Sequence, residues 1–298
     1  MTSAQTTSST ISRTYHTDTD SPYALPNDHI EVSRLHEQHE AVLDLMHGRP
    51  VHAPLQNPRK ILDIGCGVNA DMTILLSKMY PSAIVYAVDI SPIAVCLPSN
   101  VVFIHGNITT MVAQKDPRLP VGEFDYVFSR FLIGAVKNWS DWIHNTIGPL
   151  LAPGGWMELH DSPHFEWYNR KTGEHVSRDW KWLQIYQQHA EKHGLGGYVG
   201  RQLKSELPDI LHRAPTGLED IQSRWYQTPW APVPGRPETE KFVTYALGTL
   251  KDTFSAAVDK IVPAEQLEEV IKGIQETMGR RMEDVYMPIL VAWAKRID

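Results

Sequence analysis

The residues best suited to chemistry cluster around one short run, Ile61-Leu62-Asp63-Ile64-Gly65-Cys66-Gly67, and around Asp89, which ends the next apolar run. Glycines let a backbone turn sharply and let a ligand approach the main chain. An acid at the end of a second strand can accept both hydroxyls of a ribose. Asp89 follows Gly65 by 24 residues, near the roughly 20 expected between such a loop and its acid. The pattern points to a nucleotide-type cofactor, and a tight strand-to-helix turn without a ligand is the plainer alternative. Farther on, His160, Asp161 and His164 follow a later apolar run. A histidine at such a strand end can take a proton from a hydroxyl, phenol or thiol near neutral pH. It can equally be a strand-end histidine bonded to backbone, with Asp161 capping or orienting its neighbour. The three have metal-compatible spacing, but no further ligand is evident, so no metal is expected.

The elements that must position these residues alternate. Lys60–Ile64, Ala83–Val88, Val101–Ile104, Phe124–Phe128 and Trp156–Leu159 are short apolar runs separated by helical stretches at 70–79 and around Trp139, Trp142 and Ile143. That grammar predicts an α/β fold with a parallel sheet covered on both faces. Before it, Asn27 is a good N-cap for a helix carrying Leu35, Val42, Leu43 and Met46 on one face and ending at Gly48. His36, His39 and His47 of that helix read as a solvated face. Beyond residue 165 the pattern predicts a helix over 174–193, a strand over 217–227, two helices within 238–281 broken at Pro263, and a last strand over Tyr286–Trp293. Pro288 puts that last strand at an end or edge. Trp167, Tyr168, Trp180, Trp182, Tyr186, Trp225, Tyr226 and Trp230 either form the core of a helical cap or wall an apolar pocket.

Composition bounds the rest. The chain has 298 residues and a net charge of −7, which argues against nucleic acid or an anionic membrane as partner. No uninterrupted apolar run reaches the ~18 residues of a membrane span. Eleven of the first twenty residues are Ser or Thr, so residues 1–20 read as a disordered tail and not as a secretory signal. Two cysteines, Cys66 and Cys96, exclude a disulfide framework and point to a reducing, cytoplasmic location.

Five words occur in order: Tyr23-Ala-Leu-Pro-Asn-Asp-His-Ile-Glu-Val-Ser-Arg-Leu35, Lys60–Gly67, Asp89-Ile-Ser-Pro-Ile93, Phe124-Asp-Tyr-Val-Phe-Ser-Arg-Phe131 and Leu151-Ala-Pro-Gly-Gly-Trp-Met-Glu-Leu159. Together they resemble the LaeA-like fungal S-adenosylmethionine-dependent methyltransferases of secondary metabolism; Gly217–Ile221 resembles that family's sixth strand. The resemblance implies a class I methyltransferase (Rossmann-like) fold: a seven-stranded sheet, an N-terminal helical segment and a helical cap insertion. It divides the chain into a tail (1–20), a lid (21–58), a cofactor-binding core (59–165), and cap helices with the last strands (166–298). By the same resemblance Gly65, Cys66 and Gly67 lie under the methionyl part of the cofactor, Asp89 holds the ribose and Ile90 packs on the adenine. Asn107 and Ile108 flank the adenine and its amine, Ser129 and Arg130 face the methionyl end, and Tyr23 and Arg34 belong to the closing segment. The substrate it implies is a small, largely apolar natural product.

Two positions depart from the family pattern. Asn69 stands where a third glycine is usual, and asparagine is the non-glycine residue that best tolerates positive φ. Gly106-Asn107 replaces the acids usual after the third strand, and the Asn107 carbonyl oxygen can still face an adenine amine. These departures leave a second reading beside methyl transfer, a cyclase or isomerase on the same fold; the resemblance, which includes proteins that act through partners in gene control, implies a third, a non-enzymatic regulator.

Overall fold

The computed structural model describes residues 13–162, 165–194 and 217–297. Helix α1 (His29–Leu45) precedes β1 (Lys60–Ile64), α2 (Asp71–Met79), β2 (Ile84–Asp89), β3 (Val101–His105), α3 (Ile108–Ala113) and β4 (Phe124–Arg130). A helical run over 139–150, α4, contains a π turn at Trp142–Ile147 and leads into β5 (Leu151–Asp161). Then come β6 (Tyr168–Asn169), α5 (Lys181–Lys192), β7 (Leu218–Pro229), a helix over 238–257 with a π turn at Ala246–Leu250 (α6), α7 (Ala264–Thr277) and β8 (Val285–Arg296).

The sheet has the order β3-β2-β1-β4-β5-β8-β6, with β7 also on β8. The first five strands are parallel, and β8 is antiparallel to β5, β6 and β7. The seven expected strands are therefore joined by an eighth of two residues. Strand β1 is apolar on both faces because both are covered. Ile61 packs with Val85, Tyr126 and Phe128 against α1, α2 and the cap; Leu62 and Ile64 pack with Val88 and Val127 against α3 and α4.

Several expectations need correction. The tail expected to be disordered to residue 20 is ordered from Arg13: Arg13 pairs with Asp28 at 2.5 Å, and the Thr14 carbonyl accepts from Asn27 N–H at 2.8 Å. Residues 1–12 lie outside the described residues. The N-cap of α1 is Asp28, not Asn27; its Oδ1 accepts from Ile30 N–H and Glu31 N–H at 3.0 and 3.2 Å. The helix expected over 174–193 begins only at Lys181, because His175 bridges to Tyr168 and the Ser177 hydroxyl accepts from Trp167 N–H. Strand β8 is interior, yet Pro288 fits a real gap. Pairing with β5 ends at Leu290 and pairing with β6 begins at Tyr286, so no neighbour on that side needs the missing N–H.

Candidate active site

A cavity of about 490 Å3 opens over the carboxyl ends of β1, β2 and β4, where ligands of open α/β sheets sit. Its floor is the glycine loop. Gly65 and Gly67 take φ of +67° and +72°. A Cβ on Gly65 would stand 2.5 Å from Leu132 Cδ2, so any other residue would have to displace that side chain as well as hold a left-handed backbone. The third left-handed residue is Ala70 (φ +50°) and not Asn69. Asn69 instead turns its amide to α1, donating to the Val32 carbonyl and, at 3.4 Å, to Asp71. The departure at this position thus ties the lid to the loop.

Asp89 holds the loop in shape. Its Oδ2 accepts from Gly67 N–H and its Oδ1 from Ser91 N–H, both at 2.8 Å. Each oxygen keeps a lone pair that a ribose hydroxyl can use. Burial pushes its carboxyl above the usual range, against those two backbone bonds. Ile90 and Ile108 give the same end apolar walls. Asn107 also borders it, but its Oδ1 caps α3 through Thr109 N–H at 3.1 Å and its Nδ2 donates to Asp18 at 3.3 Å. A glycine floor, a carboxylate with spare acceptor capacity and two aliphatic walls fit an adenosyl group.

Tyr23, Arg34, Gly65, Cys66, Gly67, Asp89, Ile90, Asn107, Ile108 and Arg130 all border this one cavity, whereas Ser129, His160 and Asp161 do not. His164 lies outside the described residues. Burial pushes the Tyr23 phenol and the Cys66 thiol up, so both keep their protons. Arg34 grips Glu31 through Nε and Nη2 at 2.8 and 2.6 Å and donates to the Tyr245 hydroxyl of α6 at 2.8 Å.

His160 faces the other way. Its Nε2 lies 2.6 Å from Glu158 Oε1, inside the protein. Glu158 also accepts from His52 N–H and Ala53 N–H, and from His52 Nδ1 at 3.2 Å. His52 Nε2 in turn meets the Tyr226 hydroxyl at 2.7 Å. His52, Glu158 and His160 are the one His/Cys/Asp/Glu cluster of metal-binding size among the described residues. The carboxylate is fully engaged, facing two ring nitrogens and two backbone N–H groups, while His160 Nδ1 is left buried without a partner. This is a buried strap that fastens the segment after α1 to the sheet. Asp161 accepts from Leu132 N–H at 2.6 Å and Ser162 N–H at 2.8 Å. It thereby fixes the loop after β4, whose residues do border the cavity. Burial pushes its carboxyl up to about 8.

The far end of the cavity is a chamber under the cap. Phe165, Trp167, Tyr186, Trp230, Phe242 and Phe254 border it, with Phe165, Tyr186 and Phe254 in mutual ring contact at 5.0–6.1 Å. Of the aromatics noted in the sequence, Trp182 packs behind this wall with its Nε1 on Thr277, Tyr168 and Tyr226 lie elsewhere, and Trp225 is exposed. Nothing local in the chain singles out Tyr245 or His52, or the role of Glu158; only contacts between distant segments reveal them. His39, expected on a solvated face, is buried and meets Arg130.

The chain matches the methyltransferase domain family over residues 35–195. It belongs to that family. The methyltransferase str3 of Strobilurus tenacellus is 31% identical over 250 residues, 83% of this chain and 81% of the relative. The secondary metabolism regulator laeA of Monascus pilosus is 30% identical over 152 residues, 49% of this chain and 39% of the relative. Among solved structures, the plantazolicin methyltransferase BpumL in complex with SAH is 15% identical with a TM-score of 0.43, covering 90% of this chain and 89% of that one. The protein is a class I, S-adenosylmethionine-dependent methyltransferase. No helix among its described residues is long and apolar enough to cross a membrane.

Proposed function

We propose that this methyltransferase methylates a small, largely apolar natural product held under the cap. The observation that carries the reading is the continuity of one cavity from the glycine loop and Asp89 to the aromatic chamber. When bound, S-adenosylmethionine supplies an electrophilic methyl group. In this reading Asp89 accepts the ribose hydroxyls, Ile90 and Ile108 sandwich the adenine, and Gly65 and Gly67 leave room for the methionyl chain. Asn107 borders the adenine through its side-chain edge while keeping its cap on α3. The aromatic walls orient the acceptor by shape, and α1 with the cap helices keeps water out. Proximity and orientation of this kind account for a large part of the barrier in group transfer. Asp161 acts as a positioning residue, because it holds the loop at Leu132 between the two ends of the cavity.

The test is mass spectrometry of the full chain with S-adenosylmethionine and a panel of aromatic alcohols, acids and amines. The expected result is a product heavier by one methylene together with stoichiometric SAH. Rearranged products of unchanged mass, with no SAH formed, would overturn the reading in favour of an isomerase.

A further inference from the structure

The chamber under the cap has few polar groups, and two of them go unanswered by the protein. Tyr186 stands on α5 and borders the cavity, its ring 5.0 Å from Phe254 and 6.1 Å from Phe165. The residue is only 9% exposed. Among the described residues its hydroxyl meets no hydrogen-bond partner, and burial alone pushes the phenol up, so it keeps its proton. The Trp167 indole N–H, in the same wall, is also buried without a partner. The neighbouring tryptophans differ: Trp182 Nε1 donates to the Thr277 hydroxyl at 3.0 Å and Trp230 Nε1 to the Met278 carbonyl at 3.2 Å. A buried donor left unpaired costs about 1–3 kcal/mol. Both open groups can donate, and an indole can only donate, so what the wall lacks is an acceptor. It also lacks charge. Asp63, Asp89, Arg34 and Arg130 border the cavity from α1 and from the carboxyl-terminal parts of β1, β2 and β4, while Thr253 and Ser162 contribute neutral hydroxyls. An ionised ligand group in the chamber would be a buried charge without compensation.

We propose that Tyr186 is a specificity-determining donor, and that the substrate is a neutral apolar molecule presenting a carbonyl oxygen to the cap. This rests on the reading of the chamber as the substrate's site and adds the chemistry of its far end. A carbonyl oxygen has two lone pairs and no proton of its own, which matches a wall whose open groups donate. The Tyr186 hydroxyl donates to that oxygen, so its hydrogen bond is made on ligand binding rather than on folding. The chamber lies at the end of the cavity away from the glycine loop. The held oxygen is therefore not the atom that takes the methyl group, and the substrate carries a separate nucleophile on the loop side. Binding energy from such a remote handle orients the reacting end. A ligand without the oxygen leaves the hydroxyl unpaired, and one with a carboxylate in its place buries a charge; both are disfavoured.

The test uses the full chain saturated with SAH, which fills the loop end, and three aromatic probes of nearly the same shape: acetophenone, α-methylstyrene (a CH2 in place of the oxygen) and benzoate. Affinities are read by ligand-detected NMR titration. Tyr186→Phe should weaken acetophenone by about threefold to tenfold and leave α-methylstyrene within about twofold. Retained α-methylstyrene binding shows that the variant is folded with its chamber intact. Benzoate should bind the wild type at least about tenfold more weakly than acetophenone. The proposal is overturned if Tyr186→Phe leaves acetophenone unchanged, if it weakens acetophenone and α-methylstyrene by the same factor, or if benzoate binds the wild type as well as acetophenone does. In those cases the chamber still takes an aromatic ligand, and only the role of Tyr186 or the neutral carbonyl falls. A wild-type chain that holds SAH but binds none of the three probes overturns the chamber reading together with the proposal.

Discussion

Replacing Glu158 by Gln probes the strap beneath the site. The carboxylate accepts from His52 N–H at 2.9 Å, Ala53 N–H at 2.8 Å, His52 Nδ1 at 3.2 Å and His160 Nε2 at 2.6 Å, fully inside the protein. Glutamine keeps one acceptor oxygen and puts an NH2 group where other donors already point. At least one donor then loses its partner, a ring N–H at Oε1 or a backbone N–H at Oε2, in a site closed to bulk solvent. Removing one member of such a buried charged set costs about 3–5 kcal/mol. At about 2–4 °C per kcal/mol for chains of comparable size, Tm should fall by roughly 6–20 °C. Acid adds an independent signature. Burial works to raise the Glu158 carboxyl, but the hydrogen bonds from His160 and His52 override it and hold it at about 2, against an ordinary 4.5. A depressed carboxyl stabilises the fold above its unfolded pKa. That contribution, about 3 kcal/mol, is lost as pH falls from 4.5 towards 2. Urea unfolding followed by tryptophan fluorescence between pH 2 and 7 should show a steep acid limb in the wild type and a flatter one in Glu158→Gln. A variant within about 1 kcal/mol of wild type at pH 7, or one with an equally steep acid limb, refutes the assignment.

Asp89→Ala removes both the proposed ribose acceptor and the partner of Gly67 N–H, so SAH affinity should drop by about tenfold to a hundredfold in calorimetry; an unchanged Kd rules out the ribose role. Gly65→Ala places a methyl 2.5 Å from Leu132 at φ +67° and should cost about 1–2 kcal/mol from the backbone alone. Adding Leu132→Ala should recover space but not that backbone cost, as measured by denaturant midpoints. Asn69→Gly cuts the tie from the loop to α1 and should loosen the lid by about 1 kcal/mol, visible as faster amide exchange over residues 29–45.

The sequence was most informative where a residue's role is local. Glycines with a forced turn at 65 and 67, an acid at the end of β2 and apolar runs for buried strands carry their meaning in a few neighbours. The parallel order of the sheet follows from their alternation. Other features depend on partners distant in the chain. His160 reads as a strand-end base until Glu158, two residues earlier on the same face of β5, is seen to bond it. His39 reads as solvent-facing until β4 delivers Arg130 beneath α1. Asn69 looked like the bearer of positive φ, yet Ala70 bears it, because the asparagine amide is drawn to the Val32 carbonyl. The late start of α5 is of the same kind: His175 is held by a bridge to Tyr168 that local helix propensity does not register.

Strand β8 is the last strand of the sheet to be synthesised, yet it lies between β5 and β7 and also pairs with β6. While residues 285–296 are still in the ribosomal tunnel, β5 presents a long unsatisfied flank and β7 has no sheet to join. Exposed flanks of this kind invite pairing with other nascent chains. Premature stop codons just upstream of residue 285 should accordingly yield aggregates rather than shortened, partly active protein.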